Sequence, residues 1–200
     1  MKHLVKTLVV ASALLAPRMA SASTWSVDPD HSSVGFTIKH LMVSNVKGNF
    51  VKFDGKVDLD DRDISKSAVS ARVDVSSINT NVQKRDEHLK SPDFFDADKY
   101  PTMSFNSKKW TRGAKGELKI AGDLTIHGVT RPVVLNAKAF SKESKDPWGN
   151  IRRATSATTR IRRQDFGLTW NKSLDSGGVL IGDEVDIALE IELVKAQESK

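Results

Sequence analysis

Alternation constrains this chain more than any other feature. Val34, Phe36 and Ile38 are interleaved with Gly35, Thr37 and Lys39. Val57 and Leu59 alternate with Lys56, Asp58 and Asp60, and Val69, Ala71, Val73 and Val75 with Ser70, Arg72, Asp74 and Ser76. Leu118, Ile120, Gly122, Leu124 and Ile126 form a fourth such run; Val133, Leu135, Ala137 and Ala139 follow after a turn at Gly128. The cleanest is the last, in which Val185, Ile187, Leu189, Ile191 and Leu193 are separated by Asp186, Glu190 and Glu192 among others. A period of two puts one set of side chains on each face of a strand. One apolar face and one polar face is the mark of an antiparallel sheet buried on one side. About eight such strands predict a sandwich or a barrel, and the pattern alone does not choose between them.

Residues 82–90 break the rhythm. Arg85, His88 and Leu89 fall on one face at helical spacing, Thr80 with Gln83 has the form of a capping box, and Ser91-Pro92 ends the run. This reads as a helix of about two turns. Asp93-Phe94-Phe95 follows it, and two adjacent phenylalanines in a loop need something to bury against, so the helix and loop are expected to cover an end or side of the sheet. Residues 141–153 read as the longest polar loop, and the tail after Val194 as frayed.

The first 22 of the 200 residues read differently. Lys2, His3 and Lys6 precede an apolar run at Leu8–Leu15, and Ala20-Ser21-Ala22 has the small residues of a cleavage site. Met1–Ala22 therefore reads as a secretory signal peptide, and 23–200 as one exported domain placed in the periplasm. The run is far short of the ~20 residues that span a bilayer. Loss of Lys2, Lys6 and Arg18 lowers the formal net charge from +6 to about +3, a balance that argues against a nucleic-acid partner. There is no cysteine, which excludes disulfides, thiol catalysis and cysteine-bound metal. His31, His40, His88 and His127 show no tight metal-type spacing, and no G-x-S-x-G or phosphate-binding glycine loop occurs.

A barrel of about eight strands is either filled by its own side chains or holds one small ligand. Three features favour a cavity: small residues at inward positions (Ala71, Gly122, Ala137, Ala139, Ala157), phenylalanines gathered at the proposed cover (Phe94, Phe95, Phe105), and arginines 160, 162 and 163 leading into Asp165-Phe166-Gly167, where they are positioned for a polar or anionic head group.

Several segments, in order, resemble the YceI family of exported bacterial lipid-binding barrels: Trp25–Ser32, Val34–Leu41, Val46–Phe50, Arg85–Phe95, Tyr100–Phe105, Gly122–Pro132 and Arg163–Leu168. Arg162 stands where the family usually has asparagine, which adds a charge near the expected mouth. The resemblance implies an all-β, lipocalin-like antiparallel barrel with a hydrophobic tunnel, binding a long-chain isoprenoid (polyprenyl or quinone-like) or a similar amphiphile. It implies no catalysis, cofactor or obligatory metal, and a homodimer is in keeping with it. On that expectation Phe36, Ile38, Phe50, Phe53, Leu124, Ile126 and Phe166 line the tunnel, Phe94 and Phe95 cover it, and His40, Arg85, His88 and Arg163 meet the polar end. The rival for Arg85 and Asp86 is a salt-bridged brace that seats the helix; His31 and His127 are assigned to structure. Two other classes compete: a hydrolase of isoprenoid or lipid esters using His88 with Asp86 or Asp93, and an interaction module with a filled barrel.

Overall fold

The computed structural model describes residues 22–175 and 177–197, so the expected leader, apart from Ala22, lies outside the described residues. The strands are β1 (Ser23–Val27), β2 (Ser33–His40), β3 (Ser44–Phe50), β4 (Phe53–Leu59), β5 (Ala68–Asp74), β6 (Ile78–Asn79), β7 (Thr102–Arg112), β8 (Leu118–Ile126), β9 (Val129–Ala137), β10 (Ser144–Lys145), β11 (Ile151–Arg162) and β12 (Ile181–Lys195). One α-helix, α1 (Gln83–Lys90), sits between β6 and β7.

Closure follows from β12. One edge pairs with β11 from Glu184 to Val194. Its other edge pairs first with β2 and then with β1. β1 and β2 are halves of one stave, bent at the short 3-10 turn Pro29–His31; β3 and β4 are halves of the next. Around the ring run β1/β2, β3/β4, β5, β7, β8, β9, β11 and β12, all antiparallel, and β11–β12 closes the circle. The structure is thus an eight-stave barrel rather than a sandwich. Alternation reports which face is inside; it carries no information about whether the last strand meets the first.

Two local expectations are corrected. Thr80 does not cap α1 with Gln83: Val82 is the N-cap, without a side-chain bond, and Gln83 donates to Glu87 instead. Thr80 donates its amide and hydroxyl to the Asp86 carboxylate, at 2.9 and 2.5 Å. Residues 141–153 are not one loop either. β10 pairs with the start of β11, and Asp146 closes the turn by accepting from the Trp148 and Asn150 amides.

One end of the barrel is shut by Trp25, Leu59, Trp110 and Leu193, all fully buried. Arg153 lies over the Trp25 and Phe140 rings and forks onto Asp61 at 2.8 and 2.9 Å. Arg152 donates to Asp28, Asp146 and Glu192 at 2.5, 2.8 and 2.6 Å, tying the β1/β2 bend to the β10–β11 hairpin. Asp28, His31 and Glu192 bring three ligand-type atoms within 4.8 Å of one another, but Arg152 already sits on both carboxylates.

That cluster makes folding pH-dependent. The Arg152 guanidinium, then His31, hold the Asp28 carboxyl down to about 2, and Asp28 pulls His31 above its usual 6.5. The Asp28 contribution is full above the ordinary 3.8 and is lost as pH falls towards 2; the His31 contribution is present below 6.5 and fades as pH rises through its raised folded value. The urea midpoint is therefore expected to drop between pH 3.8 and 2, and Arg152→Met to make that drop shallower. An unchanged acid limb in Arg152→Met would show that other carboxylates govern it.

Candidate functional site

The barrel is hollow. A cavity of about 440 Å³ runs through its interior, and its wall is drawn from nearly every stave. Inward-facing Phe36, Ile38, Phe50, Phe53, Leu124 and Ile126 line it, as do Phe94 and Phe95 from the loop after α1. Eight of the nine apolar residues named from sequence thus face the bore. Phe166 does not. It is buried in the same apolar cluster as Ile126, Ile161 and Leu168, but those three reach the cavity and Phe166 packs behind them. The short turn Arg163–Phe166, ended by Gly167 at φ 81°, rotates it off the wall.

The small residues divide. Ala71, Ala137 and Ala157 line the bore. Ala139 lies past the end of β9 and is exposed. Gly122 opens no space, because the Phe105 ring fills it: a Cβ there would sit 2.6 Å from Phe105 Cζ and 2.4 Å from the Asn106 carbonyl oxygen. Gly48 does the same for Phe36, whose Cζ would be 2.4 Å from an added Cβ. Glycine on one stave lets an aromatic ring from its neighbour lie flat along the wall.

All four residues named for a polar end, His40, Arg85, His88 and Arg163, border the cavity. α1 presents Arg85, His88 and Leu89 to it together, as their spacing predicts. Arg85 donates from Nε to the Thr80 hydroxyl at 2.7 Å and from Nη2 to the Thr80 carbonyl at 2.8 Å. Arg85 and Asp86 brace the helix, then, by both gripping Thr80 rather than by pairing with each other. His88 Nε2 is 2.8 Å from Asp93, and its ring stands edge-on to Phe94 and to Trp170, both at 5.0 Å. His31 pairs with Asp28, and His127 packs on Tyr100 at 4.5 Å, both in structural positions.

Arg163 is the most buried charge in the site. Its Nε donates to the Gly182 carbonyl at 2.9 Å, and its Nη1 to those of Leu168 and Trp170 at 2.5 and 2.9 Å. Nη2 is buried without a hydrogen-bond partner among the described residues. Burial draws the guanidinium below its usual pKa, against the pull of Asp183, whose carboxylate is 4.0 Å from Nε. Arg160 and Arg162 are elsewhere: they point outwards, paired with Asp186 and Glu184 and with Asp183. Ile161 faces in, so its neighbours along the strand must face out.

Several wall residues were not anticipated, among them Trp170, Met103, Trp110 and Leu180. A tryptophan in the irregular stretch after Gly167 carries no periodicity to mark it. The His88–Asp93 pair that the hydrolase reading names is present at 2.8 Å, but a general base also needs a nucleophile within hydrogen-bond reach, and among the described residues the His88 ring has Asp93 as its hydrogen-bond partner and Phe94 and Trp170 as its neighbours. Asp86 pairs with Thr80 rather than with His88, its Oδ1 accepting both the Thr80 amide and hydroxyl. No α-helix among the described residues is long and apolar enough to cross a membrane.

Comparison with known proteins gives the same architecture. The model of the YceI-like domain matches residues 25–193. A UPF0312 protein of Vibrio cholerae is 39% identical over 170 residues, covering 84% of this chain and 89% of that protein. The structure of a Campylobacter jejuni YceI protein superposes with a TM-score of 0.65 at 33% identity, over 80% of this chain and 91% of the other. A polyisoprenoid-binding domain from Saccharophagus degradans shares the fold at 15% identity, with a TM-score of 0.62 over 86% and 98% of the two chains. With an all-β barrel closed around an apolar cavity and a family match from Trp25 to Leu193, this chain belongs to the YceI-like family.

Proposed function

We propose that this protein is a periplasmic carrier or store for a long-chain isoprenoid, polyprenyl or quinone-like, or a similar amphiphilic lipid. The observation that carries this reading is the bore itself: about 440 Å³ lined by phenylalanine and branched aliphatic side chains from all around the ring. Such a space repels water and accepts hydrocarbon. Each CH₂ taken out of water contributes about 0.8 kcal/mol, so roughly a dozen give ~10 kcal/mol, comparable with the ~4–15 kcal/mol that association costs. The polar end of the ligand lies among His40, Arg85, His88 and Arg163, where Arg163 Nη2 offers a buried donor with no protein partner among the described residues. The same fold in a polyisoprenoid-binding domain supports the ligand class. The small-residue sequence before Ser23, where β1 begins, supports export.

Native mass spectrometry of the protein purified without detergent tests this. A lipid-bearing species is expected, which solvent extraction identifies as a prenyl-chain compound, on a polypeptide starting at Ser23. A homogeneous ligand-free mass from several expression hosts would sink the carrier reading. An intact leader on the exported protein would sink its placement.

A further inference from the structure

The hairpin joining β2 to β3 is built against its own stability. Leu41 and Met42 both have left-handed backbone, at φ 52° and 61°, and the Val43 amide closes the turn on the His40 carbonyl at 3.1 Å. Two successive positive φ angles in a tight hairpin are the setting for Asn-Gly or Asp-Gly, because a Cβ is strained there. This chain places leucine and methionine instead. Neither side chain is used inside: Leu41 is 37% exposed, Met42 57% and Val43 81%. Val179 adds to the same patch: it is exposed and adjoins Leu180, whose carbonyl accepts from the Leu41 amide at 2.8 Å.

The position of this tip matters as much as its chemistry. His40, Leu180 and Ile181, which lead into it, all line the cavity. That end of the cavity is also bordered by exposed Lys39 and half-exposed His88, whereas the far end is sealed by Trp25 and Trp110. Lys39, beside the hairpin turn, and Lys172, on the loop before β12, are exposed and make no ion pair among the described residues; Lys47 is exposed further along β3, opposite Thr37, and Asp175 is the acid on the Lys172 loop. A narrow apolar tip flanked by Lys39 and Lys172 is too small for a stable protein interface, which needs roughly 800 Å² a side. It suits the boundary of an anionic bilayer, where apolar side chains enter below the headgroups and lysines stay among them.

We infer that the tip Leu41-Met42-Val43 docks the open end of the barrel on a lipid bilayer, so that a ligand passes between membrane and bore without crossing water. This builds on the carrier reading but makes a separate claim. The test is flotation of the mature protein with vesicles of phosphatidylethanolamine containing a minority of phosphatidylglycerol. Wild type is expected to float, and less so on raising the salt or using phosphatidylcholine alone. Leu41→Asn with Met42→Gly suits the backbone better, so the double variant should melt no lower than wild type. It should still take up a prenyl lipid added from ethanol, yet lose roughly tenfold or more in vesicle affinity, the loss expected when two large apolar side chains no longer leave water. Val43→Asp, which leaves the turn backbone alone, should lose binding likewise. Failure of wild type to float, or equal flotation by both variants, overturns the proposal. So does vesicle-free self-association abolished by the variants, which assigns the patch to a second copy of the chain. Loop-dependent flotation of a protein that never takes up lipid upholds docking and fells the carrier reading instead.

Discussion

Arg163→Leu is expected to destabilise the protein by ~3–5 kcal/mol, the range for stripping a buried charge from its partners. The guanidinium satisfies the carbonyls of Gly182, Leu168 and Trp170, three points on two separate segments. Leucine fills the volume but leaves all three acceptors buried, at about 1–3 kcal/mol apiece before the structure relaxes. It also removes the cation 4.0 Å from the buried Asp183 Oδ1, leaving that carboxylate to Arg162, which pairs with its other oxygen. Arg163→Lys keeps the charge, but one ammonium cannot span three carbonyls set by a planar fork, so it should recover less than half of the loss. Urea unfolding of delipidated protein measures both. Arg163 has a second expected role, through Nη2, at the polar end of the ligand. Bound lipid stabilises wild type by mass action. If Nη2 holds that end, the gap between lipid-loaded and delipidated midpoints should shrink in both variants. A gap that stays constant would make Arg163 a structural tie alone.

The readable part of this protein was the part governed by period. Alternation placed Phe36, Ile38 and Leu124 on the inner face because a strand offers only two faces, and helical spacing placed Arg85, His88 and Leu89 together. Where the backbone turns irregular, sequence distance stops reporting direction. Phe166 belongs to a buried cluster, as its type suggests, yet the short turn before Gly167 sends it behind the wall. Trp170, four residues later, returns to the cavity edge with nothing in its surroundings to announce it. The arginines show a different failure. Proximity in sequence groups Arg160 and Arg162 with Arg163, although Ile161 between them fixes both on the outer face. Gly122 shows a third: a missing side chain is read as a void, but a neighbouring ring occupies it. Closure and hollowness are properties of the whole ring, and no single strand encodes them.

Filling the bore separates a hollow barrel from a solid one by the sign of the stability change. Ala157 on β11 and Ala71 on β5 both line the cavity, from staves that lie opposite each other in the ring. In a close-packed interior, alanine to phenylalanine forces neighbours off their rotamers and costs about 1–3 kcal/mol. In a cavity of about 440 Å³ the added ring has somewhere to go. Burying it should then contribute up to the ~1.5–3 kcal/mol of a large apolar side chain, so delipidated Ala157→Phe is expected to unfold at the same urea concentration as wild type or a higher one. The same ring stands where a hydrocarbon chain would run, and the lipid-bearing peak should vanish from the native mass spectrum of this variant. Ala71→Phe should reproduce both effects from the other wall, which guards against a local accident of packing. The two readouts move in opposite directions only if the space is empty in the polypeptide and occupied in the complex. A destabilised variant that keeps its lipid would mean that the ligand lies elsewhere, and the bore would lose its claim to be the binding site.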